Sequence, residues 1–489
     1  MEMTGAKNGG GGQEWRVTVP EGASVTVEHE ACLAARAWAW LASCVAMLGA
    51  KVCGLGERVW KIGADDPRRA VHGLKVGLAL ALVSVFYYTR PLYDGVGGAA
   101  MWAIMTVVVI FEYTVGGCVY KGFNRAAATV SAGAIALGVH WIASHAGHTF
   151  EPFIRSGSVF LLASLATFSR FIPTVKARFD YGVTIFILTY SLVAVSGYRV
   201  STVLAMAQQR VCTVGIGISM CLSVATFVCP VWAGQELHGL TARNMSNLAG
   251  AVEACVEDYF AEGTDQYKQH SSSAAKAEGY KCVLGSKASE DAQANLARWE
   301  PAHGRFGFRH PYEQYKSVGA AMRRCAYCVE ALRGCVRSSG YSEESTQAPE
   351  DDDQHAVKRH LAGACTSVAQ QCARVMREAA GSVGAMEISR IGMELAVAEM
   401  NAAVQELQCD LRALPSKLAA EGKEEEESAV MDAVQLFTVT SLLIEVSARV
   451  EGVVEAVETL ACLAGFRSLD VKAEASDGMD AKVQDYVQV

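Results

Sequence analysis

Residues 157–175 form the apolar stretch GSVFLLASLATFSRFIPTV, which is long enough for one helix to cross a membrane. One charged residue, Arg170, lies inside it. A charged side chain at the centre of a lipid-facing helix costs roughly 2.5–3.5 kcal/mol, so such residues usually face a protein interior or a water-filled path. Because an arginine keeps its proton, Arg170 needs an acid, backbone oxygens or a passing anion as its partner.

The composition places the whole chain in the membrane class. Of its 489 residues, 51% are hydrophobic and 19% are charged, and the mean hydropathy is +0.19. Soluble proteins carry about 25% charged residues. The 16 cysteines follow no regular framework and several lie in apolar runs, which indicates reduced, structural thiols. Because the sequence contains no phosphate-binding glycine loop, nucleophile elbow or zinc-protease motif, we predict no enzyme activity, no cofactor and no metal.

The hydrophobicity is concentrated in one block and predicts six membrane-spanning helices. Each candidate holds roughly 17–25 mainly apolar residues, and short connections make neighbouring helices antiparallel. The predicted spans are Val71–Thr89, Val96–Tyr120, Ala126–His145, Gly157–Val175, Tyr181–Gly197 and Val211–Trp232. We therefore predict an all-α membrane protein with three parts: a cytosolic N-terminal segment (1–70), a six-helix pore domain (71–236) and a cytosolic helical domain (237–489).

The distribution of lysine and arginine predicts the orientation of the chain. Basic residues are dense before the first predicted span and recur after the second and the fourth. Since cytoplasmic loops are enriched in lysine and arginine, we expect both termini in the cytoplasm. The apolar segment Ala31–Ala50 contains Arg36 and has no basic stretch before it, which favours an amphipathic cytosolic helix; a further span is the alternative.

Five more cations lie close to the cytoplasmic side of the predicted spans. They are Lys75, Lys121, Arg125, Lys176 and Arg178. Such side chains either reach to the membrane surface and orient the helices, or concentrate anions at a pore mouth. For Arg170, the two interpretations are a cationic constriction that passes anions and a structural ion pair with Glu112, the one acid within the predicted spans.

The second half of the chain is soluble in composition and helical in pattern. Two polar stretches, 262–290 and 338–354, are predicted to be flexible loops. Cys325 and Cys328 have the spacing of zinc ligands, but the following histidines lie beyond an acidic loop. Packing of both thiols on one helical face is favoured over a zinc site.

Several longer motifs resemble the plant aluminium-activated malate transporter family, a group of aromatic acid exporter-like anion channels. The motifs are Trp102-Ala-Ile-Met-Thr-Val-Val-Val-Ile-Phe-Glu112, Lys121-Gly-Phe-Asn-Arg125, Tyr181-Gly-Val-Thr-Ile-Phe-Ile-Leu-Thr-Tyr190, Phe227-Val-Cys-Pro-Val-Trp-Ala-Gly234 and Ala297-Arg-Trp-Glu-Pro-Ala-His-Gly-Arg-Phe-Gly-Phe-Arg-His310. The last contains the family's Trp-Glu-Pro signature as Trp299, Glu300 and Pro301. The resemblance extends from about Trp60 to Leu414.

The resemblance implies a dimeric plant anion channel with six membrane helices per subunit and a pore lined by basic residues at the dimer centre. It implies malate and other anions as permeant ions, and inhibition by γ-aminobutyrate near the sixth span, where Phe227 lies. The expected partners are these anions, membrane lipid and a second copy of the chain, with no nucleic acid. The plasma membrane is favoured over the vacuolar membrane.

The sequence leaves three hypotheses for function. The first is an anion channel driven by the electrochemical gradient, with Arg170 at the constriction and the other cations at its mouth. The second is a proton-coupled organic-acid carrier that uses Glu112 as the proton site. The third is an interaction protein that the membrane half only anchors. We expect the Trp299–Pro301 segment either to dock the cytosolic helices on the membrane part or to begin a helix with Pro301 in its first turn.

Overall fold

The computed structural model describes residues 33–89, 100–147, 149–196, 203–260, 276–307, 309–345, 352–420 and 427–470. The chain divides into two compact units, residues 1–72 and 73–489. In the described part, the regular secondary structure consists of helices and two strands of two residues each, which confirms the predicted all-α class. The strands β1 (Glu387–Ile388) and β2 (Arg467–Ser468) pair in parallel.

The N-terminal half of the chain contains most of the apolar helices. Its helices are α1 (Leu33–Asp65), α2 (Pro67–Tyr88), α3 (Ala100–Ile110), α4 (Val115–His145), α5 (Glu151–Ser169), α6 (Pro173–Ser196) and α7 (Val203–Phe227). Within the described residues, five segments are long and apolar enough to cross a membrane: Trp40–Asp65, Val115–His145, Glu151–Ser169, Pro173–Ser196 and Ala207–Phe227. The last four overlap the predicted third to sixth spans. The first predicted span falls on α2, which is not among the five, and the second falls partly on the short α3, so the count of six stays a prediction.

The predicted boundary between the second and third spans is wrong. The helix breaks after Ile110 and resumes at Val115, where the Thr114 hydroxyl accepts a hydrogen bond from the Gly117 N–H at 3.2 Å. A threonine in extended conformation that accepts this bond is a standard helix N-cap. Lys121 and Arg125, which we expected in a turn, therefore lie inside α4. The error arose because residues 115–120 continue the apolar run across the break.

The predicted fourth span is also displaced. α5 ends at Ser169, and Arg170 is its C-cap residue, so Arg170 lies in the turn between α5 and α6. Pro173 begins α6, a position at which the missing N–H of proline has no helical partner to lose. The apolar residues of this turn extended the predicted span to Val175 and placed Arg170 inside it.

The membrane helices approach one another closely through small residues. α4 packs against α5, α6 and α7, and α3 packs against α7. A Cβ on Gly217 would lie 2.7 Å from Thr106 side-chain carbons, and a Cβ on Gly182 would lie 2.9 Å from the Asn124 amide oxygen. Glycines at such crossings let two helix backbones come together, which is the usual packing mode in membranes.

The C-terminal helices share a separate apolar core. They are α8 (Ala233–Phe260), α9 (Tyr280–Gly285), α10 (Lys287–Ala297), α11 (Tyr312–Ser345), α12 (Asp352–Ala385), α13 (Arg390–Ala420) and α14 (Glu427–Ala464). Side chains such as Leu248, Met322 and Leu443 are fully buried in this core. Cys325 is buried in it as well and Cys328 is half-buried, which fits the packing interpretation.

Both predicted flexible loops are shorter than expected. Helices α9 and α10 begin inside the stretch 262–290, while 262–275 lies outside the described residues. α11 continues to Ser345 and α12 begins at Asp352, so only 346–351 of the second stretch is left outside the description. Polar surface helices resemble loops in composition, and the apolar side chains on which they pack lie far away in sequence.

Candidate anion site

Two arginines from different membrane helices line one small cavity. Arg125 comes from α4 and Arg210 from α7, and the cavity between them has a volume of about 20 Å³. That is room for about one water molecule or one small polar group. Trp102, Thr129, Ile185, Leu188, Thr189, Leu192 and Val214 complete the wall. The cavity therefore brings two cations and two hydroxyls together among aliphatic side chains and the Trp102 ring.

Arg125 is buried, with no compensating acid in the described part of the chain. Its exposed fraction is 7%, and its Nε has no hydrogen-bond partner among the described residues. No ion pair to Arg125 occurs among the residues that the structure describes. Arg125 lies about 15 Å along α4 from the start of that helix, at 1.5 Å per residue. A buried guanidinium with an unsatisfied donor is costly unless a ligand supplies the missing acceptor.

Arg210 is held by an aromatic ring. Its guanidinium carbon lies 3.4 Å from the centroid of the Trp102 ring on α3, which is a cation–π contact. This contact leaves the N–H donors at the guanidinium edge able to bind an anion. The sequence prediction missed Arg210 because the sixth span was expected to begin one residue later. The sequence signal that could have placed Arg210 inside the helix is the apolar helical pattern, which already begins at Val203.

The arrangement can bind a carboxylate or a comparable anion. Guanidinium groups donate paired N–H bonds that match the two oxygens of a carboxylate. Thr129 is buried beside Arg125, and its hydroxyl, like that of Thr189, can donate to an anion as well. The described part of the chain contains no cluster of three metal-ligating side chains.

The alternative in which Arg170 forms an ion pair with Glu112 is wrong. Arg170 instead pairs with Asp180 on α6, with Nε and one terminal nitrogen 2.7 and 3.0 Å from the two carboxylate oxygens. The side chains are 41% and 39% exposed, so this is a surface pair at the end of the bundle. Asp180 was missed because it precedes the predicted fifth span by one residue.

Glu112 has a different partner, the ammonium group of Lys121. The two residues meet because the break before α4 folds Glu112 back onto the first turns of that helix. Lys121 also lies 5.8 Å from the centroid of the Tyr181 ring on α6. Both charges therefore have a partner within the protein. The turn that brings them together was not predicted from the sequence.

The other predicted residues lie apart from the cavity. Lys75 is buried and donates from Nζ to the Cys229 carbonyl oxygen at 2.6 Å, just beyond the end of α7. A lysine at this place satisfies a carbonyl at a helix C-terminus. Lys176 and Arg178 are exposed on the first turns of α6, and Phe227 is the last residue of α7 and 84% exposed.

Glu300 connects the membrane helices to the C-terminal helices. One carboxylate oxygen accepts the N–H groups of Gly116 at 3.2 Å and Ala233 at 2.6 Å, and the other accepts that of Gly234 at 3.1 Å. These N–H groups belong to the first turns of α4 and α8, where helices present unpaired donors. Glu300 is 7% exposed, so one buried side chain caps two helices at once. The residues just before Ala233 offer no side chain that could cap α8, and this was the sequence signal for a capping group from elsewhere in the chain.

Aromatic contacts also connect the membrane helices to the segment that carries Glu300. The Trp299 ring packs on Tyr120 and Phe123 of α4, with centroids 5.6 and 5.3 Å apart. The Trp232 ring stacks on His303 at 3.8 Å. α10 ends at Ala297 and α11 begins at Tyr312, so Pro301 does not begin a helix and that alternative is wrong.

Two histidines, His238 of α8 and His310 just before α11, share the Tyr315 hydroxyl as a hydrogen-bonding partner. His238 Nδ1 and His310 Nε2 lie 2.9 and 3.1 Å from the Tyr315 hydroxyl. Burial, with the nearby His238 and His303, lowers the pKa of His310 to about 4. His310 is therefore neutral at physiological pH, and its ring serves as a packing and hydrogen-bonding group.

Helices long and apolar enough to cross a bilayer, with buried cations between them, define a multi-pass integral membrane protein of the transporter class. A family model described as aluminium activated malate transporter matches residues 60–429. The chain belongs to this family. It is 44% identical over 492 residues to Aluminum-activated malate transporter 10 of Arabidopsis thaliana, covering 95% of this chain and 96% of that protein.

Two further relatives show a similar likeness. Aluminum-activated malate transporter 2 of Arabidopsis thaliana is 41% identical over 419 residues, with coverage of 86% and 79%. Aluminum-activated malate transporter 1 of Triticum aestivum is 38% identical over 464 residues, with coverage of 91% and 95%. The resemblance inferred from the sequence motifs is thereby confirmed.

Proposed function

We propose that the protein is an anion channel that conducts malate and related anions across a plant membrane. The observation that carries the proposal is the buried Arg125, which has no acidic partner in the part of the chain that the structure describes and shares one cavity with Arg210. The relatives named as malate transporters support a dicarboxylate as the permeant ion. Neither catalysis nor a cofactor is part of the proposal.

In this proposal the two arginines replace the water that an anion loses on entering the bundle. The anion moves down its electrochemical gradient and gains about 2.3 kcal/mol per charge for each 100 mV. Arg210 is already stacked on Trp102, and a site with few additional donors holds an ion weakly enough to release it. Lys176 and Arg178 concentrate anions at the mouth, and Arg170 is assigned to the structural pair with Asp180 instead of the constriction.

We extend the proposal to topology and assembly. Residues 1–70 form a cytosolic segment, 71–236 cross the membrane six times, and 237–489 form a cytosolic helical domain held to α4 through Trp299 and Glu300. Both termini are cytoplasmic, the plasma membrane is favoured, and two subunits surround the pore. Glu300 contacts the starts of α4 and α8, and Lys75 contacts the chain just after the end of α7. These contacts support the proposal that the three helix ends lie on the same side of the membrane.

The carrier hypothesis receives less support from the structure. A proton site must exchange its proton during transport, whereas Glu112 is ion-paired with Lys121. The channel proposal requires no proton exchange at Glu112.

The test is whole-cell current with malate as the main internal anion. We expect Arg125→Gln to reduce malate current about tenfold or more, because a hydrogen bond to a charged group contributes about 1.5–3 kcal/mol. Arg125→Glu is expected to abolish anion selectivity. Arg170→Gln should leave the reversal potential unchanged, and Arg449→Gln, which breaks an exposed pair with Glu445, is the matched control.

The outcomes separate the hypotheses. Normal selectivity in Arg125→Glu, with surface expression equal to the wild type, would overturn the assignment of the constriction. Loss of selectivity in Arg170→Gln alone would return the constriction to Arg170. Malate uptake that depends on a proton gradient and carries no uncoupled current would favour the carrier.

A further inference from the structure

Helix α1 exposes an unusual amount of apolar surface. Among the α1 side chains that the structure describes, none is buried. Ten large apolar side chains on this helix are exposed: Trp38, Trp40, Leu41, Val45, Met47, Leu48, Val52, Leu55, Val59 and Trp60. A contiguous apolar surface of this kind marks a site that contacts a partner or a membrane.

Six apolar residues of the helix lie on a different face from its basic residues Lys51, Arg58 and Lys61, although Trp40 and Met47 share the basic face. At 100° per residue, one apolar stripe falls within an arc of about 80°. This stripe consists of Leu41, Val45, Leu48, Val52, Leu55 and Val59. Lys51, Arg58 and Lys61 fall within a second arc of about 80°, centred roughly 120° from the first. All three basic side chains are exposed.

The positions of the charges along the helix disfavour a membrane-spanning orientation. In the candidate span Trp40–Asp65, Lys51 lies close to the middle, and Glu57, Arg58 and Lys61 follow within the same span. A lysine in the middle of a span is unfavourable unless protein or water surrounds it. A helix parallel to the bilayer surface avoids this cost because its apolar stripe enters the lipid and its basic stripe stays among the headgroups.

We propose that α1 lies in the membrane interface and binds an anionic lipid surface through Lys51, Arg58 and Lys61. The tryptophans at its two ends, Trp38 and Trp60, are the side chains that membrane interfaces favour. The assignment to the cytoplasmic leaflet rests on the cytoplasmic N-terminus proposed above. The dependence on anionic lipid is independent of what the pore conducts.

Hydrogen–deuterium exchange of the full-length protein in nanodiscs tests this proposal. Peptides covering residues 40–61 are compared in neutral phosphatidylcholine and in phosphatidylcholine with phosphatidylserine. We expect stronger protection in the anionic nanodiscs. Each basic residue near an anionic surface contributes about fivefold to binding, so the triple variant Lys51→Gln, Arg58→Gln, Lys61→Gln should lose the difference, which is on the order of 10²-fold. Glu57→Gln, on the same helix, is the matched control and should retain it.

Three results would overturn the proposal. Equal, strong protection in both lipids and in the triple variant indicates a membrane span. Equal protection that persists in detergent without lipid indicates that another protein surface covers the helix. Rapid exchange under all conditions indicates that α1 does not bind lipid. Because no current is measured, failure here is distinguishable from failure of the channel proposal.

Discussion

Replacing Glu300 with glutamine keeps the shape of the side chain but removes one acceptor oxygen. The carboxylate accepts two N–H groups on one oxygen, from Gly116 and Ala233, and one on the other, from Gly234. Glutamine can place its carbonyl oxygen toward the first two donors. Its amide N–H₂ group then faces the N–H of Gly234, so that one buried donor loses its acceptor.

The expected destabilisation follows from the one N–H donor, that of Gly234, that loses its acceptor. Burial raises the pKa of Glu300 although the three N–H groups and the nearby His303 oppose the rise, so we count no stabilisation from the charge itself. A buried donor left without an acceptor costs about 1–3 kcal/mol. Since 1.4 kcal/mol is a factor of 10, the first turn of α8 should open locally about 5- to 150-fold more often, whereas the first turn of α4 keeps its acceptor for the Gly116 N–H.

Hydrogen–deuterium exchange of the full-length protein measures this opening directly. In Glu300→Gln, peptides covering residues 233–240 should exchange faster, while peptides covering residues 115–122 and peptides from the buried core of α12 should change little. Glu445→Gln removes an exposed carboxylate and serves as the control. Unchanged protection of the first turn of α8 in Glu300→Gln would refute the reasoning, because the second carboxylate oxygen would then contribute nothing to holding that turn.

Three further predictions follow from other contacts. Trp102→Leu removes the cation–π contact of Arg210, worth about 0.5–2 kcal/mol, and should raise the half-saturating malate concentration of the current about 2- to 30-fold. Gly116→Ala would place a Cβ against the Leu296 carbonyl oxygen of α10 and should lower the free energy of unfolding in detergent by about 1–3 kcal/mol. Gly133→Ala is the control and should not lower it, because a Cβ there has no neighbour within 4 Å. The pKa of His310 is about 4, below its value of about 6.5 in an unfolded chain, so only the unfolded chain binds a proton between these values. The contribution of His310 to stability should therefore be complete above pH 6.5 and fall as the pH drops toward 4. Thermal melting measured over this pH range should show a shallower fall in His310→Asn.

The class of the protein follows from its sequence for physical reasons. A helix must hide every backbone polar group to cross a bilayer, so apolar runs of sufficient length mark membrane helices wherever they occur. The motifs around Trp299 and Lys121 are long enough to identify the family without any coordinates. The helical pattern of the second half likewise depends only on the spacing of apolar residues along the chain.

Helix ends were less predictable because apolar residues continue across them. The Thr114 cap and the start of α6 at Pro173 are local features, yet hydropathy gives them little weight. Misplacing these two ends moved Arg170 into a span and moved Lys121 and Arg125 out of a helix. The functional interpretation of all three residues changed as a consequence.

The sequence by itself determined an all-α membrane protein of a malate transporter family, because length, hydrophobicity and long motifs are properties of the chain. Only the tertiary structure decided which charges meet. Arg170 has Asp180 as its partner, Arg125 shares a cavity with Arg210, and Glu300 caps two helices distant in sequence. These pairings depend on the rotation and relative height of packed helices, and residues far apart in the sequence carry no local signal of either.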